Sequence, residues 1–151
     1  MENLICNAEW DVGYDNRIEG FCNYGPVTVD SFCWDGNRTC SLSLSRGRGN
    51  TAGNCYELPI GVSGDKDLVW GYTMRVIEAE CILLRAAFCD ACGRVLCVEN
   101  RDVTSDVGSE FNRVSAGFRI PREACMAFVS LHFEGLTTAC TFCAPFAYYG
   151  S

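Results

Sequence analysis

Two C-x-x-C pairs, Cys89/Cys92 and Cys140/Cys143, are the spacings in this chain with the most chemistry in them. Four thiolates in two such pairs match the ligand set of a tetrahedral zinc site. The same spacing serves thiol–disulfide exchange, but that use needs a helix N-terminus in a βαβ context, and the sequence offers neither. Eight further cysteines (Cys6, Cys22, Cys33, Cys40, Cys55, Cys81, Cys97 and Cys125) bring the total to 12 in 151 residues. Zinc alone would leave these eight unexplained, and their density approaches that of a disulfide scaffold. Disulfides persist in oxidising compartments. Met1-Glu2-Asn3-Leu4-Ile5 is neither basic nor long enough for a secretion signal. Either the chain is already mature, or it is made inside the cell and oxidised later, or the thiols bind metal.

For an enzyme the supply is thin. His132 is the single histidine, and the alternation around it puts it on an outward, solvated strand face with Ser130 and Glu134. No G-x-S-x-G, P-loop or H-E-x-x-H pattern occurs. No catalytic residues are expected. Aromatic rings are the better resource, because flat rings pack on the apolar faces of sugars. Trp34, between Cys33 and Asp35-Gly36, reads as a strand-end ring, with Tyr24 and Tyr56 as partners in a glycan site. Trp10, Trp70, Tyr14 and Tyr72 read mainly as core, and Tyr148/Tyr149 as a terminal strand.

A net charge of -7 with a pI near 4.6 argues against a nucleic-acid partner. Arg46-Gly47-Arg48-Gly49 reads as a loop. No apolar run reaches the roughly 18 residues of a membrane-spanning helix.

The elements that must position these groups are strands. Cys40, Leu42 and Leu44 alternate with Thr39, Ser41 and Ser43. Tyr72, Met74 and Val76 alternate with Thr73 and Arg75, and Ile82, Leu84, Ala86 and Phe88 form an inner row. Cys125, Ala127, Val129, Leu131 and Phe133 form another. Period two of this kind predicts half-buried strands. Val76–Ala87 has helix-forming composition, but the alternation continues through it and Asp90-Ala91-Cys92-Gly93 supplies a turn. The expected fold is all-β: an antiparallel jelly-roll β-sandwich of about nine or ten strands, one domain over residues 1–151.

Several segments resemble the galactose-binding-like and family-4-type carbohydrate-binding modules. Asn3-Leu4-Ile5-Cys6-Asn7-Ala8-Glu9-Trp10-Asp11 resembles their opening strand, with Trp10 and Asp11 at the aromatic and acidic positions. Cys55-Tyr56-Glu57-Leu58-Pro59-Ile60 resembles their Y-x-L-P-V strand. Phe88, Asp90 and Gly93 resemble their hairpin, and Phe118-Arg119-Ile120-Pro121 their F-x-I-P. The resemblance implies a jelly roll, glycan binding, and a structural calcium with Asp11 as the candidate ligand. The Asp that such a site takes from the last strand is missing from Phe142-Cys143-Ala144-Pro145-Phe146-Ala147.

Alternation also sorts the cysteines. Cys40 and Cys125 are expected inward; Cys81, Cys89 and Cys97 outward; Cys6, Cys140 and Cys143 near the chain ends. Outward thiols suit cross-links, so Cys6, Cys81, Cys89, Cys92, Cys97, Cys140 and Cys143 are the disulfide candidates. In this cysteine use the chain resembles jelly-roll subunits of spore appendages, which implies an extracellular or spore-surface setting reached without a classical signal peptide. The leading expectation is a non-enzymatic subunit that polymerises with copies of itself into a disulfide-stabilised filament or layer. A glycan-binding module and an intracellular zinc–cysteine protein are the alternatives. No cofactor is expected beyond calcium or zinc.

Overall fold

The computed structural model describes residues 2–13, 15–47 and 49–150; Tyr14 and Arg48 lie outside them. Ten strands occur among the described residues: β1 (Phe21–Tyr24), β2 (Thr28–Trp34), β3 (Asn37–Leu44), β4 (Thr51–Tyr56), β5 (Ile60–Gly61), β6 (Asp67–Arg75), β7 (Glu78–Cys89), β8 (Val95–Asp102), β9 (Asn112–Arg119) and β10 (Met126–Gly150). Every pairing is antiparallel.

β10 organises the molecule. Its first part, Met126–Glu134, lies between β4 and β7. Its second part pairs with β3 from Thr137 to Phe142 and with β6 from Thr141 to Gly150. One continuous strand thereby serves two layers, β1-β4-β10-β7-β8 and β2-β3-β10-β6-β9. Strands that switch sheets turn the corner through bulges or bends. Here the corner holds Gly135 at φ 74, where its N–H donates to the Asn50 carbonyl at 3.0 Å. A left-handed backbone is cheap for glycine and costs other residues roughly 1–2 kcal/mol.

The inner rows follow the alternation. Cys40, Leu42, Leu44, Leu68, Trp70, Tyr72, Met74, Ile82, Leu84, Ala86 and Phe88 are all buried. Trp10 stands at the centre, edge-on to Phe21, Tyr72 and Phe142 at ring separations of 5.5, 6.1 and 5.7 Å. Burying each such ring contributes about 1.5–3 kcal/mol, so Phe142→Ala would cost about 3–5 kcal/mol. One chain of polar groups crosses the core, while the indole N–H of Trp10 is buried without a partner among the described residues. The Tyr72 hydroxyl donates to Asn54 Oδ1 at 2.5 Å, and Asn54 Nδ2 donates to Asn23 Oδ1 at 2.7 Å.

Four cysteine placements depart from expectation, Cys89 and Cys125 from the alternation and Cys140 and Cys143 from their expected role as accessible cross-links near the chain end. Cys125 is exposed, not inward, because β10 begins one residue after it. Cys89 is buried although its parity is outward: Met126 pairs beside it, and the Cys125 N–H donates to its carbonyl at 2.8 Å. Cys140 and Cys143 are buried because the last strand runs through the middle of the second sheet rather than along an edge.

Candidate functional site

Each sheet has an outer face, and the candidate groups divide between them. On the first sheet, Tyr24, Gly53 and His132 stand opposite one another on β1, β4 and β10. Gly53 leaves room for the Tyr24 ring, since a Cβ there would lie 2.3 Å from Tyr24 Cε1. Tyr24 therefore lies flat across β4, and its hydroxyl meets His132 Nδ1 at 2.5 Å. Ser130 Oγ meets His132 Nε2 at 2.7 Å. Both ring nitrogens are engaged, which suits the neutral imidazole with one donor and one acceptor. Burial, then the Arg85 guanidinium, holds the His132 pKa down to about 4. The solvated histidine expected from sequence is thus 9% exposed and locked between two hydroxyls.

The second sheet's outer face is different. β2 and β9 are its opposite edges, yet the Trp34 ring of β2 stacks on Phe111, beside β9, at 4.5 Å and 30°. The tip of the β2–β3 hairpin bends across the face to reach it. Beneath lie the buried side chains of Thr39, Thr73, Thr141 and Cys143. Asp30 on β2 secures the approach by accepting from Thr39 Oγ1 and Ser41 Oγ, each at 2.6 Å. Burial and then the Asp35 carboxylate push the Cys143 thiol up to about 12. Trp34 keeps 37% of its surface exposed. One side of its ring is fixed and the remainder is open.

Two guanidiniums and two more rings continue this face. Arg75 lies over Phe111 at 4.5 Å and Arg113 over Phe146 at 3.9 Å. Phe146 and Tyr148 are nearly parallel, 6.1 Å apart. Phe146 points outward because β10 carries one extra residue between Cys143, opposite Thr73, and Phe146, opposite Gly71. Ala144 occupies that bulge at φ 51. A single inserted residue reverses the facing of everything beyond it.

The three predicted stacking residues do not converge. Trp34 is on the second face, Tyr24 on the first, and Tyr56 is in the core beside Phe21, where its hydroxyl accepts from the Cys6 N–H. Phe111, Phe146, Arg75 and Arg113 were not among the residues singled out from sequence. A depression of about 620 Å³ lined by Arg46, Asn50, Glu80, Cys81 and Glu134 offers no aromatic ring.

The thiols are scattered. Burial holds Cys40 and Cys140 protonated, pushing each up to about 12. Cys81 and Cys97 are half-buried, and burial also raises their thiols, with Asp102 and Glu134 adding to the effect at Cys81 and Glu99 at Cys97. Cys6 and Cys92 are exposed. Cross-links through Cys89, Cys140 or Cys143 would require the fold to open, because a buried thiol is not accessible. Cys89/Cys92 end β7 of the first sheet while Cys140/Cys143 lie in the second, so the two pairs do not meet. Asp11 is exposed in a loop tied by Asn7, whose Oδ1 accepts from the Asp11 N–H at 3.0 Å. Among the described residues no three His, Cys, Asp or Glu side chains converge on a metal position. Nor, among the described residues, is any helix long and apolar enough to cross a membrane.

No known protein family matches the sequence, and no curated protein does. Solved structures do match. One is the enzymatically active domain of bacteriophage CBA120 tailspike protein 4 (TM-score 0.69, 16% identity, over 98% of this chain and 21% of that one). Another is the module TmCBM61 in complex with β-1,4-galactotriose (TM-score 0.60, 12% identity, over 99% of this chain and 100% of that one). A third is the Family 16 Carbohydrate Binding Module-2 (TM-score 0.59, 17% identity, over 97% and 99%). The fold is that of the β-sandwich carbohydrate-binding modules. The chain thus spans about a fifth of the tailspike domain and the whole of the free-standing modules.

Proposed function

We propose that this chain is a single-domain, non-catalytic glycan-binding module whose ligand lies on the outer face of the second sheet. One observation carries the reading. Trp34 is held flat by Phe111 while the rest of its ring stays open, on a face that also presents Arg75, Arg113 and Tyr148, with Phe146 buried under Arg113. A ring fixed beforehand loses little freedom when a sugar stacks on it, and neighbouring planar polar groups can orient the hydroxyls. The fold shared with carbohydrate-binding modules supports this assignment without supplying it, because function belongs to the site. Polysaccharide as the ligand favours an extracellular setting.

The filament reading loses ground because three of its seven cross-linking thiols are buried. What is left of it runs through Cys6 and Cys92, which are exposed, and the half-buried Cys81 and Cys97, and a non-reducing gel of native material reads those bridges directly. The test of glycan binding is a polysaccharide panel by affinity electrophoresis and calorimetry, with Trp34→Ala as the control. Binding that Trp34→Ala weakens about tenfold or more supports the site. A folded wild-type protein that retains no glycan on the panel overturns it.

A further inference from the structure

We infer that the second outer face takes an acidic polysaccharide, one whose sugar rings carry carboxylates, with Arg75 and Arg113 holding the carboxylate. The inference rests on the glycan-binding reading and sharpens its ligand.

Both guanidiniums sit on exposed residues of the face, one over Phe111 and one over Phe146. Among the described residues neither pairs with a carboxylate; the ion pairs present are Arg46–Glu80, Arg94–Asp90 and Arg101–Glu99. Arg17, Arg38, Lys66, Arg85, Arg119 and Arg122 also lack an ion pair among the described residues; what sets Arg75 and Arg113 apart is that both lie over aromatic rings on this one face. The acids near them, Asp30, Asp35 and Glu110, form no ion pair with either guanidinium. Asp30 is engaged by Thr39 and Ser41, and Asp35 is at the hairpin tip near Cys143.

Register puts the two cations side by side. Arg113 stands opposite Thr73, two residues along β6 from Arg75, and both project outward. Stacking on a ring fixes the plane of a guanidinium and leaves its N–H edge free. That edge is a rigid fork matched to a planar carboxylate, which it can bind through two parallel hydrogen bonds. Trp34, Phe111 and Tyr148 then supply flat apolar surface near the forks, which suits a sugar ring whose carboxylate lies at its rim, while the buried Phe146 serves as the platform for Arg113. A neutral glycan would use the rings and leave both forks to water.

The decisive comparison keeps the polymer backbone and changes only its charge. Wild-type protein is titrated with polygalacturonate, with its fully methyl-esterified form, with a neutral galactan and with a sulfated galactan. At low salt the acid form is expected to bind at least tenfold tighter than its ester. That advantage should shrink about threefold or more in 0.5 M NaCl, where screening shortens to a few Å. Arg75→Gln with Arg113→Gln should bring the acid-to-ester ratio to about one. The substrate-side comparison needs no variant, so a misfolded double mutant does not rescue the inference. Equal binding of acid and ester overturns the carboxylate assignment and leaves the glycan reading standing. Tighter binding of the sulfated galactan than of polygalacturonate overturns the choice of carboxylate. Retention of none of the four removes the glycan reading together with this inference.

Discussion

On the outer face of the first sheet, Tyr24 lies across Gly53 and joins His132, which in turn holds Ser130. On the outer face of the second, Trp34 crosses from one edge to Phe111 at the other and keeps a third of its surface open. Both faces place an aromatic ring over a strand of small residues. The first closes its polar groups on each other; the second leaves rings and guanidiniums without polar partners. A site that has satisfied itself contributes rigidity, and one left unsatisfied has interaction free energy to give a ligand.

The largest test of this contrast concerns space. A Cβ at Gly53 would lie 2.3 Å from the Tyr24 ring and 2.4 Å from the Leu131 carbonyl, whereas one at Gly117 on β9 meets nothing within 4 Å. Gly53→Ala is expected to cost about 2–3 kcal/mol in urea unfolding, and Gly117→Ala under about 0.5 kcal/mol. Equal losses would mean that the first face is not closed.

Next in size is a pH effect. His132 titrates near 4 in the folded protein against 6.5 for the free group. As pH falls through 6.5 the unfolded chain takes up a proton that the folded chain refuses until near 4. Stability from this group is thus fully present above about pH 6.5 and is lost as pH falls toward 4, by on the order of 2 kcal/mol. Carboxylates titrate in the lower part of that window, so the quantity to measure is the difference between wild type and His132→Gln. The variant should show the shallower loss; identical slopes would place a charged histidine in the fold.

The smallest effects come from exchanging one ring group on each face. Tyr24→Phe leaves His132 Nδ1 without its partner and should cost about 1 kcal/mol of stability while glycan affinity stays unchanged. Trp34→Ala should do the opposite, with the affinity loss stated above and less than about 1 kcal/mol of destabilisation. If Tyr24→Phe weakens binding more than Trp34→Ala does, the ligand belongs on the first face.

The inner rows were legible in the sequence because alternation is a local signal: Cys40/Leu42/Leu44 and Ile82/Leu84/Ala86/Phe88 need no knowledge of their neighbours. The jelly roll followed from those rows and their turns. What alternation cannot show is register and coverage. His132 was read correctly as outward, but its lid comes from β1, 108 residues earlier. Trp34 was singled out, yet its support, Phe111, lies beyond the far edge of the sheet. Cys89 has an outward parity and a buried side chain because the segment ending at Cys125 covers it. Phe146 was lost to the reading because a bulge shows no signature in an apolar run such as Phe142–Ala147.

That bulge decides which residues the surface presents. With Ala144 present, Phe146 and Tyr148 sit on the outside and Ala147 beneath them in the core. Straighten the strand without changing a residue and strict alternation would turn Phe146 and Tyr148 inward and present Ala147 and Tyr149 to water. Delete Ala144 instead, and regular alternation alone sets Phe146 opposite Gly71 again. The bulge absorbs one residue of length, so related chains that lack only this residue should keep the same outer face.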